Sequence, residues 1–229
     1  MTILAVITAI AGLAILTYRY REHRNAVRAR RAAFFDDCWT VLDDPKLALD
    51  AFGYPSLTGT YEGEPIRADV IVDCMGLRKL PSLWLRVTLE APVRVGAVLD
   101  VMMRPSGAEF FSPFSTLPDW LDTPADWPER AVIHTDDPDR FTDPRIFTPH
   151  VGFLAERQAK ELIVSPKGAR IVWQADEAQR SDYLLLRQAR FDVERFDREK
   201  FCELVGRLIH LQRSLAGTPE REERHEAAA

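Results

Sequence analysis

The chain has 229 residues, 46% of them hydrophobic, with 30 basic and 35 acidic side chains and a formal net charge of −5. That apolar share excludes a disordered chain, and the acidic balance excludes nucleic acid as the partner of the folded surface. Cys38, Cys74 and Cys202 are odd in number, widely spaced and form no C-x-x-C pair, which argues against a disulfide framework and against a zinc site.

Thr2–Thr17 carries no charged side chain, and Tyr18–Arg31 then carries six arginines against one acid, Glu22. An apolar run stopped by a cationic collar reads as an uncleaved transmembrane helix. The run is shorter than the ~20 residues of a usual span. The reading therefore sets Tyr18, Arg19, Tyr20, Arg21, Arg24 and Arg28 at the membrane interface, the tyrosines at headgroup level and the arginines snorkelling. A cleavable signal peptide wants a positive charge before its apolar core, and none precedes this one. All the collar arginines follow the run, so the N-terminus is expected outside and the C-terminal bulk in the cytoplasm. That describes a single-pass protein of a bacterial inner membrane, in contact with the bilayer through residues 2–18. Ala5, Ala9 and Gly12 are small residues at near-helical spacing, through which two such helices pack in a homo-oligomer. Without the collar the remaining chain is close to −10, which keeps it soluble and away from anionic lipid. The expected organisation is 1–18 transmembrane helix, 19–31 basic juxtamembrane segment, 32–217 cytoplasmic α+β domain and 218–229 disordered tail.

Phe34, Phe35, Cys38, Val41 and Leu42 form one apolar stripe, so the helix is expected to run on through Ala32–Leu42 and, after Asp44-Pro45, to resume over Lys46–Phe52. Gly59–Pro65 reads as a strand end and tight turn. Ile66–Asp73 and Leu83–Glu90 alternate apolar and polar residues as half-buried strands do, and so does Val93–Met103. The last two flank Ala91-Pro92 and are expected to form an antiparallel hairpin. Residues 105–129 hold five prolines and the aromatics Phe110, Phe111, Phe114, Trp120 and Trp127. Two readings stand for that stretch: a lid packed on an open sheet face, or a partner surface lined by aromatics. Arg130–Thr135 reads as a strand, Thr148–Lys160 as a helix opened by Thr148-Pro149, and Leu162–Gln174 as strand, turn, strand. Leu184–Glu194 alternates like another strand. Asp197 caps a final helix whose stripe is Phe201, Leu204, Val205, Leu208, Leu211 and Leu215, and Gly217 stops it. The whole is α+β: a mainly antiparallel sheet covered by helices.

No glycine-rich phosphate loop, G-x-S-x-G or H-E-x-x-H occurs, and no cofactor is expected. The most chemical stretch is His134-Thr135-Asp136-Asp137, which with His150 offers an acid–base or hard-cation set, although Asp137-Pro138 is also ordinary turn chemistry. Arg78-Lys79 lies in a loop between two strands and reads as solvated, or as an anion contact.

The pattern Gly59, Tyr61, Gly63, Ile66, then Thr135-Asp136-Asp137-Pro138 and Thr148-Pro149, resembles that of uncharacterised bacterial membrane-anchored proteins. These carry an N-terminal helix and a soluble α+β domain, and the resemblance implies no activity. The leading functional expectation is a non-enzymatic interaction or scaffolding module with a protein partner. The alternative is a membrane-bound hydrolase or ligand sensor that uses the 105–139 region.

Overall fold

The first 31 residues after Met1 carry no proline and no helix-ending glycine, and the computed structural model winds them into one helix, α1 (Thr2–Ala32), roughly 46 Å long at 1.5 Å per residue. The structure describes residues 2–74, 80–140, 143–186 and 189–217. Arg78 and Lys79 of the sequence reading, and the tail 218–229, lie outside them. After α1 come two single turns, Ala33–Phe35 and Trp39–Val41, which bury Phe34, Phe35, Cys38 and Leu42.

The strands are β1 (Asp43–Leu49), β2 (Pro55–Tyr61), β3 (Glu64–Asp73), β4 (Ser82–Leu89), β5 (Leu99–Met103), β6 (Asp119–Leu121), β7 (Ala131–Thr135), β8 (Ala159–Ser165) and β9 (Gly168–Glu177). They form a single antiparallel sheet in the order β1-β2-β3-β4-β9-β8-β5-β7-β6. The helices after α1 are α2 (Thr148–Val151), α3 (Arg180–Leu186) and α4 (Arg198–Gly217). One face of the sheet carries Leu57, Ile66, Leu85, Val87, Leu162 and Ile171, and α4 lays Phe201, Leu204, Val205 and Leu208 over it. Asp197 caps α4 by accepting the Lys200 amide at 2.7 Å, as the sequence predicts.

Several expectations are corrected. Among the described residues no helix is long and apolar enough to cross a membrane. The uncharged run stops short of the ~20 residues of a span, is diluted by Thr8, Gly12 and Thr17, and is closed by Arg19. The transmembrane helix, the N-out single-pass topology and the inner-membrane placement fall with that finding. The helix over Lys46–Phe52 is β1, because its backbone pairs with β2 from Lys46↔Thr58 to Leu49↔Pro55. The hairpin across Ala91-Pro92 does not form. Residue 99 begins β5, which pairs with β7 and β8, while β4 pairs with β3 and β9. The helix from Thr148 lasts one turn before β8 begins, and the start of Leu184–Glu194 belongs to α3.

The base of α1 is held by its last arginines. Arg31 Nη1 donates to the Phe52 carbonyl at 2.7 Å and its guanidinium sits 4.5 Å over the Tyr54 ring. Arg30 pairs with Glu194 at 3.1 Å, and the Arg28 side chain rests on Gly53. The collar therefore serves in part as the root of the helix on the domain.

Two glycines test this architecture in opposite directions. A Cβ on Gly168, in the β8–β9 turn, would lie 2.2 Å from the Leu89 carbonyl oxygen, whereas one on Gly206 in α4 meets nothing within 4 Å. Gly168→Ala is expected to cost roughly 1–3 kcal/mol and Gly206→Ala to add roughly 0.5–1 kcal/mol, both read from urea unfolding midpoints.

Candidate functional site

Alternation puts Leu99, Val101 and Met103 of β5 on the α4 side of the sheet, so Asp100 and Met102 face the other way. Pairing carries this second face across the sheet: Asp100 sits opposite Ile163 and His134, Met102 opposite Glu161, and Ile163 opposite Arg170. Farther along, Arg86 sits opposite both Val172 and Asp69. Its guanidinium donates to Asp69 at 2.9 Å, and the Ser56 hydroxyl donates to the same carboxylate at 2.7 Å. A face this polar is usually left to water. Here it is covered by a flap, residues 105–117, that folds back from the end of β5.

Three attachments hold the flap. The first is Lys160, the extra residue of a bulge between Ala159 and Glu161 in β8. The bulge turns it out of alternation toward the end of β5. Its ammonium donates to the carbonyls of Met103 and Arg104, each at 3.0 Å, and to Glu109 Oε1 at 2.8 Å. The pair is sealed, with the two side chains 9% and 8% exposed. Glu109 also accepts from the Ser106 amide and hydroxyl and from the Ala108 amide. Burial alone would raise the Glu109 carboxyl; the hydrogen bonds from Lys160 and Ser106 outweigh it and bring it down to about 2. The second attachment is aromatic: Phe111 packs on Trp84 at 5.6 Å and Phe114 stacks on His134 at 4.0 Å. The third is Ser112, whose hydroxyl donates to Asp100 Oδ2 at 3.3 Å.

Beneath the flap Asp100 and Glu161 have no solvent exposure at all. Asp100 Oδ1, both Glu161 carboxyl oxygens and Arg170 Nε complete no hydrogen bond among the described residues. Burial, then the charge of Glu161, pushes the Asp100 carboxyl up to about 9. Burial likewise pushes Glu161 up to about 7, against the opposing charges of Arg170 and Lys160. Burial also lowers Arg170. Two carboxyls with different proton affinities in one dry site have the ingredients of acid–base chemistry.

Of the sequence-derived candidates only His134 borders this site, and the others lie apart from it. His134 is on the flap face, stacked on Phe114. Asp136 caps a loop, accepting the Val98 amide at 2.7 Å. His150 is on the opposite side of the sheet, its Nε2 2.7 Å from the Ser214 hydroxyl of α4, which also donates to the Leu211 carbonyl. Burial and then His210 lower its proton affinity. His134 and His150 are thus separated by the sheet, and among the described residues no group of three His, Cys, Asp or Glu side chains is placed to hold a metal ion. Of the five aromatics, Phe111, Phe114 and Trp127 are buried, while Phe110 and Trp120 are 55% and 78% exposed. Trp127 donates its indole N–H to Thr148 at 2.8 Å. Asp100 escaped the sequence reading because alternation assigned it to solvent, Glu161 because it falls between the helix expected over Thr148–Lys160 and the strand expected from Leu162, and Arg170 because nothing in its strand marks a covered face. The signal for their burial was the run of aromatics just after β5.

The other unusual surface is α1. Ile3, Val6, Ile7, Ile10, Leu13, Ile15 and Leu16 are between 56% and 78% exposed. Tyr18, Arg19, Tyr20, Arg21 and Arg24 follow them, also exposed.

No protein-family model matches the chain, and no curated protein matches it. Among solved structures, that of the mycobacterial trehalose monomycolate transport factor A, TtfA, matches over 84% of this chain and 98% of its own, at 12% identity and a TM-score of 0.43. A likeness that loose says nothing of what this chain binds.

The Glu109–Lys160 pair yields a direct test. Glu109→Gln strips a buried ammonium of its anion and is expected to cost about 3 kcal/mol or more at pH 7, most of it recovered in the double variant Glu109→Met with Lys160→Met. Because the Glu109 carboxyl is lowered by folding, its contribution is complete above about 4.5 and is lost as pH falls toward 2. The penalty of the single variant should therefore shrink over that interval, as read from denaturant unfolding at a series of pH values.

Proposed function

We propose that this chain works as an interaction module rather than as an enzyme, and that α1 is the element it presents to a protein partner. The observation that carries the reading is the exposure of the apolar half of α1. Seven large aliphatic side chains stand exposed on a helix that is rooted in the domain through Arg28, Arg30 and Arg31. A contiguous apolar surface of that kind marks a docking element. Ile3, Val6, Ile10 and Leu13 recur at intervals of three and four, the spacing by which one helix packs along another. Arg19, Arg21 and Arg24 follow directly, with Glu22 as the one acid beside them. The matching partner surface is apolar and ends in acidic residues. The domain behind α1 then serves as a folded body whose own acidic surface keeps it soluble. Against the hydrolase alternative, His134, Asp136 and His150 engage separate partners.

The test is site-directed photocrosslinking in living cells, with a photoreactive phenylalanine at Val6, Ile10 or Leu13 of the full chain. A protein adduct of one discrete mass is expected at these positions and not at Trp39. Arg21→Glu with Arg24→Glu should lower its yield at least tenfold. Adducts to lipid alone, or none, would overturn the reading.

A further inference from the structure

We propose that Asp100 and Glu161 form a proton-dependent latch: while both hold protons the flap stays shut over them, and their ionisation releases it.

The geometry carries this. The two carboxyls are diagonal neighbours on one face of the β5–β8 pair, both without solvent exposure. Of their four oxygens, one accepts a hydrogen bond, from Ser112 of the flap, and the other three complete none among the described residues. Two ionised carboxylates so placed would lack both water and donors, a far costlier state than two neutral acids. The groups that face them do not change this. Arg170 of β9 stays charged and attracts both, but burial outweighs its pull at each carboxyl. Arg86 is committed to Asp69 of β3, and Lys160 to Glu109 and two carbonyls. His134 of β7 is stacked on Phe114. The closed flap therefore selects the protonated pair.

Once the flap lifts, water reaches both carboxyls, and each O–H bond breaks with its proton passing to solvent. The sign follows. Asp100 at about 9 and Glu161 at about 7 both lie above their ordinary values, so the closed state binds more protons than the open one. Closure is favoured at low pH and is lost as pH rises through those two values. What opening uncovers is a charged strip beside Trp84, whose indole N–H is buried without a partner among the described residues.

The experiment is amide hydrogen exchange on the full chain, followed in peptides covering residues 106–117 between pH 6 and 9.5 and corrected for intrinsic exchange. One proton released per opening gives about a tenfold rise in the opening constant per pH unit. At least that slope is expected between pH 7 and 9. Asp100→Asn should abolish the rise in that interval, and Glu161→Gln should reduce the slope below pH 7. Glu109→Gln, which loosens the flap and leaves the surroundings of Asp100 intact, should raise exchange at every pH and keep the slope between pH 7 and 9. An opening constant independent of pH in the unmodified chain overturns the proposal, and so does an unaltered slope in a folded Asp100→Asn protein. If that variant fails to fold, the profile of the unmodified chain and that of Glu161→Gln still decide.

Discussion

The pairing of β4 with β9 joins the two halves of this sheet. Ser82–Leu89 lies antiparallel to Ala169–Glu177 across about 80 residues of intervening chain. On one side of the seam stands the meander β1-β2-β3-β4, whose neighbours are consecutive in sequence; on the other stand β9, β8, β5, β7 and β6. The last helix lies over the seam and buries its stripe there. A long loop must close before any of that burial is gained, so this pairing carries a larger loop-closure cost than the meander does. The seam also fixes the turn at Gly168, which rides against the carbonyl of Leu89 so closely that no side chain fits.

The second face of the sheet follows from the same seam. Once β9 is set beside β4, Arg170 and Val172 share a face with Arg86 and Trp84, and β8 adds Glu161 and Ile163 to it. With α4 committed to the other side, only the segment leaving β5 can cover this one. It does so with Phe111, Phe114 and a buried ion pair rather than with a helix. Ion pairs of that kind contribute little net stability against an apolar replacement. What Lys160 supplies is position: three acceptors around one ammonium set the path of the chain out of Met103.

Elements whose residues encode both their period and their ends were legible in the sequence. The last helix had a capping aspartate, a stripe and a stopping glycine. β4 alternated over its whole length, and the tight turn was marked by Gly63, which with Glu62 takes left-handed backbone here. What alternation cannot encode is the partner strand. Val93–Met103 alternated convincingly, yet only Leu99–Met103 became a strand, and its neighbours are β7 and β8. β1 was illegible for the converse reason: Lys46–Leu49 has little pattern of its own and is a strand because β2 offers it a ladder. Thr148-Pro149 did start a helix, but Val151, Phe153 and Leu154 are spaced for a short turn against the core rather than for a long stripe. Glu161 was hidden between the helix expected over Thr148–Lys160 and the strand expected from Leu162, and Asp100 by a sound rule. A polar residue alternating with buried ones belongs to solvent unless something else covers that face, and the cover came from a segment with no periodicity at all.

Local rule and global structure therefore conflict at two places, and such conflicts concentrate where a protein does more than fold. At α1 an apolar sequence is left in water. A helix that far from its domain is not secured by propensity, since isolated helices are marginal without an apolar face packed on something. Arg28, Arg30 and Arg31 hold its base and leave the remainder to be covered from outside. Under the flap the reverse holds: acids are kept from water by a segment tied down at only a few points. A surface that binds α1 would resolve the first conflict, and any change that lets water in would resolve the second. Since α1 and the flap hang from different parts of the sheet, neither resolution requires the other. A partner seated on α1 would leave Asp100 and Glu161 sealed.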